Sequence, residues 1–155
     1  MMLQQTTLQG RAERALFALV TVLGLAAAAG AALAAPAPVV GRWATEEHKA
    51  EVRIAPCAEG LCGTIVWLKE PLDEAGQPRR DRNNPDQAKR GRGLVGTTIL
   101  RGFKADGRRY TDGTIYNPED GETYDSSMHL VGEDTLKVKG CVWLFCRSQT
   151  WTRVE

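Results

Sequence analysis

The residues of this chain that could do chemistry begin with four cysteines, arranged as two pairs of identical spacing. Cys57 and Cys62 flank four residues, and Cys141 and Cys146 flank another four. Four residues is a common hairpin-loop length, so we expect one local disulfide across each loop. An even number of cysteines is typical of a protein in an oxidising compartment. A disulfide from the first pair to the second remains an alternative, as does a four-thiolate zinc site, although zinc ligands usually lie closer in sequence.

Side chains suited to acid–base catalysis are few. The chain has two histidines, His48 and His129, and such catalysis usually needs a histidine or paired carboxylates in a pocket. His129 alternates with polar residues, so we expect it to face solvent. An enzyme acting on an envelope polymer would need two nearby carboxylates to converge, and the candidates are Glu119, Asp120, Glu122 and Asp125. Because no known catalytic motif accompanies them, we predict a protein that is not an enzyme and holds no cofactor or metal.

A polar segment, residues 70–93, carries a cluster of positive charges. Between positions 78 and 92 the cations outnumber the carboxylates by four, and they are Arg79, Arg80, Arg82, Lys89, Arg90 and Arg92. Long loops of this kind are often functional. We expect an ordered lid with one short helical turn at residues 84–90, capped by Asn84, and we expect Arg90 to bind an acidic group. Turn capping explains the oxygen-rich residues 81–86 better than a calcium loop does.

The first 34 residues differ in composition from the rest. Two arginines precede an apolar run, residues 15–33, that ends in Ala32-Leu33-Ala34, the small-residue pattern at which a signal peptidase cleaves. We predict a signal peptide over residues 1–34 and one periplasmic or secreted domain over residues 35–155. A membrane anchor is the alternative, because the run is just long enough to span a bilayer. Without the leader, basic and acidic residues balance, which does not favour nucleic-acid binding.

Short β-type segments separated by turn residues make up the rest of the chain. In one of them Ala50, Val52 and Ile54 alternate with charged residues, as in a half-buried strand. We predict eight strands, at residues 40–45, 49–56, 62–69, 97–104, 109–116, 123–131, 135–141 and 148–154. Tight turns between them favour an all-β fold, a small up-and-down antiparallel barrel whose closure removes exposed edges.

Five segments, in order, resemble the DUF2147 family of exported bacterial proteins. They are Gly41-Arg42-Trp43, CGTIVWL at 62–68, DRNNPD at 81–86, GTIYNPEDGETY at 113–124 and TWTR at 150–153. The resemblance implies a lipocalin-like barrel and carries no established reaction. The Gly-x-Trp is also similar to the start of lipocalins, which implies that Arg153 stacks on Trp43 and joins the first and last strands. An ordinary core position for Trp43 is the alternative.

A barrel of eight strands is either filled by its own side chains or holds one small ligand. We predict a binder of a small amphiphile with an acidic head. The predicted ligand-binding residues are Trp67, Ile99, Tyr116, Tyr124 and Met128 inside the barrel and Arg90 on the basic loop. The alternative is an envelope structural or protein-interaction module with a filled barrel, in which the apolar residues 142–145 contact a partner or a membrane surface.

Overall fold

The computed structural model describes residues 38–154, and the predicted signal peptide and its cleavage site lie outside them. The described residues form eight strands: β1 Gly41–Ala44, β2 Ala50–Cys57, β3 Gly60–Leu68, β4 Thr98–Asp106, β5 Arg109–Asn117, β6 Glu122–Leu130, β7 Thr135–Val142 and β8 Phe145–Val154. Two 3₁₀ helices, Glu46–His48 and Gln87–Lys89, lie between strands. No helix within 38–154 is long and apolar enough to cross a membrane. All eight predicted strands are present.

Each strand pairs antiparallel with the next, and β1 also pairs with β8, which closes the predicted barrel. The side chains that alternate toward the interior are large and apolar. Trp43, Phe103, Tyr110 and Trp151 are each at most 1% exposed, and they pack in one cluster with the aliphatic residues around them. The interior is therefore filled by the barrel's own side chains.

The two ends of the barrel carry different connections. The base is the end where the described chain begins and where the β2–β3, β4–β5 and β6–β7 turns lie. The mouth is the opposite end, with the β1–β2, β3–β4, β5–β6 and β7–β8 connections. The predicted local disulfides are both formed, Cys57–Cys62 at the base and Cys141–Cys146 at the mouth. All four sulfurs are in these bonds, which excludes the alternative zinc site.

At the base, Arg153 and Trp43 hold the first and last strands together. The guanidinium carbon of Arg153 lies 4.3 Å from the centroid of the Trp43 ring, so the implied stacking pair is formed. Arg153 also donates to the carbonyl oxygens of Val40 and Pro38, at 3.2 and 2.6 Å. The Trp43 indole donates to the carbonyl oxygen of Val39 at 2.8 Å. These contacts tie the incoming chain across the base.

At the mouth, β8 is longer than the strand that closes the barrel. β1 pairs with β8 only at residues 152–154, whereas β8 pairs with β7 over residues 145–152. Residues 145–151 of β8 therefore extend past β1 with β7 as their only strand partner, while β7 stays paired with β6 from Leu136 to Cys141. We call residues 137–150 of β7 and β8 the arm. One face of the arm continues the interior face of the barrel.

The connection between β3 and β4, residues 69–97, is ordered and packs against the β5–β6 turn. Asn83 donates from its side chain to the carbonyl oxygen of Glu119 at 2.8 Å. The expected helical turn is present, but its cap was predicted wrongly. Asp86, not Asn84, accepts the backbone N–H of Ala88, because Asn84 is buried and bound to other groups.

Replacing Arg153 with Met keeps an apolar stem and removes the charge and its donors. We expect the free energy of unfolding to fall by about 2–3 kcal/mol, because the stacking contact and the charged hydrogen bonds are both lost. Urea denaturation measures the change. Arg101→Met, at an exposed position of β4, is the control. A loss no larger than that of the control would contradict the role of Arg153 in joining β1 to β8.

Gly121 allows the β3–β4 connection to dock, because a side chain there would collide with the carbonyl oxygen of Asn83. Its φ of +78° is also left-handed. Gly107 is the control for backbone strain alone, because its φ is +60° and nothing lies within 4 Å of an added Cβ. We expect Gly107→Ala to destabilise by about 1 kcal/mol and Gly121→Ala to destabilise clearly more. Equal unfolding midpoints for the two variants would show that the contact is unimportant.

Candidate functional site

The predicted internal cavity is replaced by packed side chains. Met128 is 1% exposed and Ile99 is 7% exposed, so both lie in the core. Ile99 is the extra residue of a bulge, since Gly63 pairs with Leu100 while Thr64 pairs with Thr98. A role for these two residues in ligand binding stays a prediction, and the filled interior leaves it little support.

Trp67 does not line the interior, and that expectation was wrong. Val52 pairs with Ile65 but Glu51 pairs with Trp67, so the strand has one extra residue between them. A single inserted residue sends the following side chain to the other face. Trp67 is consequently 41% exposed, with its ring 5.0 Å from the ring of His48.

His48 belongs to a charged cluster beneath Trp67. Glu51 is 5% exposed. Its Oε1 is hydrogen-bonded to His48 Nε2 at 2.9 Å, and its Oε2 forms an ion pair with Arg42 Nη2 at 2.5 Å. The hydrogen bond from His48, together with Arg42, outweighs burial and holds the pKa of Glu51 below its usual range. His48 is thus engaged by a structural carboxylate. His129 is exposed, as predicted.

Tyr116 lies where the β3–β4 connection meets the barrel, not in a cavity. Its hydroxyl donates to Asp81 Oδ1 at 2.5 Å. Asp81 is fully buried and also accepts from Asn84 at 2.8 Å and from both Nε and Nη2 of Arg92 at 2.9 and 2.7 Å. One buried carboxylate therefore anchors the whole connection to β5.

The charge state of this pair follows from its contacts. Burial alone would raise the pKa of Asp81, but hydrogen bonds from Tyr116, Asn84 and Arg92 outweigh it and lower that pKa. Burial and the bond to Asp81 raise the pKa of Tyr116 to about 12. The proton therefore stays on the tyrosine and the negative charge on the aspartate.

The cations of the long connection are largely occupied. Ion pairs join Arg79 to Glu70, Arg82 to Asp73, Lys89 to Asp86 and Arg92 to Asp81. Arg90, the predicted head-group ligand, donates from Nε to the carbonyl oxygen of Asn84 at 2.7 Å. The connection is thus anchored by its own charges, and ligand binding by Arg90 stays a prediction.

Two open clefts lie outside the barrel. One, of about 350 Å³, is on the long connection beside Asp73 and Arg82, whose charges are already paired. The other, of about 410 Å³, is at the base beside Arg108 and Arg153. Neither reaches the interior, which agrees with its packed aromatic core.

The mouth presents inward-facing residues that the core does not cover. One face of β7 and β8 carries the cross-strand pairs Leu136–Trp151, Val138–Gln149, Gly140–Arg147 and Val142–Phe145. The first pair is buried in the core, whereas Arg147 and Phe145 are exposed. The interior face therefore continues into solvent along the arm.

Residues of β5 and β6 form the floor beneath this part of the arm. A Cβ added to Gly140 would lie 3.2 Å from Cγ2 of Ile115 and 3.6 Å from Cβ of Tyr124. Both residues are half-buried. We call Ile115, Tyr124, Phe145 and Arg147 the mouth site. Its four residues share the face of the sheet that elsewhere faces the core, and they combine apolar side chains with one cation.

The electrostatics of the mouth site leave its cation free. The Tyr124 hydroxyl donates to Asp120 Oδ2 at 2.7 Å, and this bond raises the pKa of Tyr124 although the positive charge of Arg147 acts in the opposite direction. Within residues 38–154, Arg147 forms no ion pair. Its guanidinium is available to an anionic group beside an apolar surface.

Of the predicted ligand-binding residues, Tyr124 alone lies in the mouth site. Phe145 was predicted only as one of the apolar residues 142–145 that contact a partner or a membrane surface, and Arg147 was missed. The sequence contains a signal that places Phe145 and Arg147 on the interior face. The alternation of Leu136 and Val138 extends to Gly140 and Val142, and a Cys141–Cys146 disulfide makes Arg147 and Phe145 their partners. The contact between Asp81 and Tyr116 had no such signal, because 35 positions separate the two residues.

Comparisons with known proteins agree with the barrel. The family described as "Uncharacterized protein conserved in bacteria (DUF2147)" matches residues 41–153. A solved structure, protein HP1028 from Helicobacter pylori, is described as belonging to the lipocalin family and is similar with a TM-score of 0.65 and 21% sequence identity. The match covers 75% of this chain and 82% of that chain. No curated protein matches the chain.

Replacing Asp81 with Asn leaves Arg92 without its carboxylate. We expect a loss of about 2–3 kcal/mol in the free energy of unfolding at neutral pH. The pKa of Asp81 lies below its ordinary 3.8 in the folded protein. The stabilisation that ionised Asp81 gives the folded protein is therefore complete above pH 3.8 and is lost as the pH falls through the lowered pKa. Urea denaturation over a pH series should show the difference between the wild type and the variant vanishing in acid. A pH-independent difference, or a change matching that of the exposed Asp106→Asn control, would contradict the assignment.

Proposed function

We propose that the chain, which belongs to the DUF2147 family, is an exported protein that binds a small amphiphile with an acidic head at its mouth site. The observation that carries the proposal is the exposure of Arg147 and Phe145 on the face of β8 that elsewhere faces the core. A lipocalin-like barrel is a suitable frame for such a site. The binding role itself rests on the residues of this chain.

The chemistry of the mouth site suits a carboxylate or phosphate on a short apolar stem. A guanidinium forms paired hydrogen bonds with either anion. Ile115, Tyr124 and Phe145 would contact the first carbons of the tail. Because Trp151 and its neighbours fill the interior, the rest of a long tail would stay outside the barrel, so added methylenes should contribute little affinity.

Two further features support the exported, non-enzymatic part of the proposal. The two disulfides are typical of proteins in an oxidising compartment, which supports export and agrees with the predicted leader. Among the residues suited to proton transfer, His48 bonds to Glu51, Asp120 bonds to Tyr124, and His129 lies exposed on β6. Binding, rather than catalysis, is therefore the proposed role.

Calorimetric titration with dodecanoate tests the proposal. We expect the wild type to bind and Arg147→Gln to bind about tenfold more weakly, because a charge-assisted hydrogen bond contributes about 1.5–3 kcal/mol. Lys104→Gln, which removes an exposed cation near the base, should bind like the wild type. A second titration with octanoate should give a similar affinity.

Two results would overturn this function. The first is dodecanoate binding that Arg147→Gln does not change. The second is an affinity that rises steeply from octanoate to dodecanoate, since each buried methylene contributes about 0.8 kcal/mol, which would place the tail inside the barrel.

A further inference from the structure

The end of the arm exposes a run of large apolar side chains. Trp143 is 94% exposed, Leu144 93% and Phe145 84%. We call residues 142–145 the tip. The disulfide between Cys141 and Cys146 and the pairing of Val142 with Phe145 close its base, so the tip projects as a rigid hairpin end. Contiguous exposed apolar surface of this kind marks an interaction site.

The backbone at the tip adds an independent observation. Trp143 has a φ of +54°, in the left-handed region where glycine is favoured and other residues are strained by about 1–2 kcal/mol. A turn selected only for its geometry would carry Gly or Asn there. The chain instead has a tryptophan, the largest kind of side chain, at this position, and that side chain is almost fully exposed.

The charges of the arm identify the kind of surface that the tip fits. Residues 136–150 contain three cations, Lys137, Lys139 and Arg147, and no carboxylate. At a strand rise of about 3.4 Å per residue, Arg147 lies about 7 Å and Lys139 about 10 Å from the tip. The headgroup layer on each side of a bilayer is about 5–8 Å deep, so Arg147 would lie within that layer and Lys139 at its outer surface.

We infer that the tip inserts into an anionic lipid surface, with Trp143 and Leu144 among the acyl chains and Lys139 and Arg147 at the headgroups. A convex tip of four side chains presents less than the roughly 800 Å² per partner of a stable protein interface, whereas a fluid bilayer closes around it. Membrane attachment by a small apolar element needs an electrostatic contribution as well. The arm supplies the apolar side chains at its tip and the cations behind them. The inference does not depend on the mouth site binding a ligand.

Co-sedimentation with vesicles tests the inference. We expect the wild type to bind vesicles made of equal parts phosphatidylcholine and phosphatidylglycerol, and to bind phosphatidylcholine alone weakly. Trp143→Ser/Leu144→Ser should reduce binding about a hundredfold, because two apolar side chains no longer leave water. Lys139→Glu should reduce binding to the anionic vesicles several-fold and weaken its salt dependence.

Control variants replace exposed apolar residues or reverse a charge elsewhere on the surface. Leu72→Ser/Val131→Ser replaces two half-exposed apolar residues, and Lys104→Glu reverses an exposed charge near the base. Both should bind like the wild type. Trp143→Phe should still bind but lose most of the fluorescence blue shift that accompanies binding. Of the other three tryptophans, Trp43 and Trp151 are already buried, and Trp67 lies on β3 outside the tip.

The inference is overturned if Trp143→Ser/Leu144→Ser binds anionic vesicles like the wild type. It is also overturned if the tip serves instead as a contact between copies, with concentration-dependent self-association that the same substitutions abolish and no vesicle binding. Dodecanoate titration of Trp143→Ser/Leu144→Ser keeps the two proposals separate, since the mouth site retains Phe145 and Arg147 in this variant.

Discussion

The structure depends on the closure of the barrel by a very short strand. β1 has 4 residues and β8 has 10, so the seam between them covers only the part of β8 next to the base. There the stacking of Arg153 on Trp43 and its bonds to backbone carbonyls secure the closure. Beyond the seam, β8 has only β7 as a partner. The core reaches Val138 at the start of the arm, and the interior face of β8 is exposed from Gln149 to Phe145.

The two ends of the barrel consequently have different physical roles. The base is sealed by an aromatic ring, a guanidinium and the incoming chain, all of which contribute to stability. The mouth is bordered by polar anchors, above all the buried carboxylate of Asp81, which hold the long connection in place. With that connection anchored, the free cation of the mouth belongs to the arm, and the apolar groups belong to the arm and to the neighbouring strands β5 and β6. The features that stabilise the protein and those available for binding are thus separated along the barrel axis.

Much of this architecture could be predicted because it depends on local patterns. Alternation located the strands, and the spacing of Cys57 and Cys62 predicted a hairpin disulfide. Trp67 was misplaced because a single extra residue in β3 changes the face of every side chain after it, and no turn residue marks that position. The partnership of Asp81 with Tyr116 was out of reach, since it arises only when a long connection folds back on a distant strand.

The most direct test of the account is a crystal structure of the protein with dodecanoate that carries bromine on its terminal carbon. The account predicts that the carboxylate bonds to Arg147 and that the bromine lies outside the packed interior, over the arm or in solvent. A bromine peak among Trp43, Met128 and Trp151 would contradict it, because the core would then have opened into the internal cavity that the filled barrel excludes.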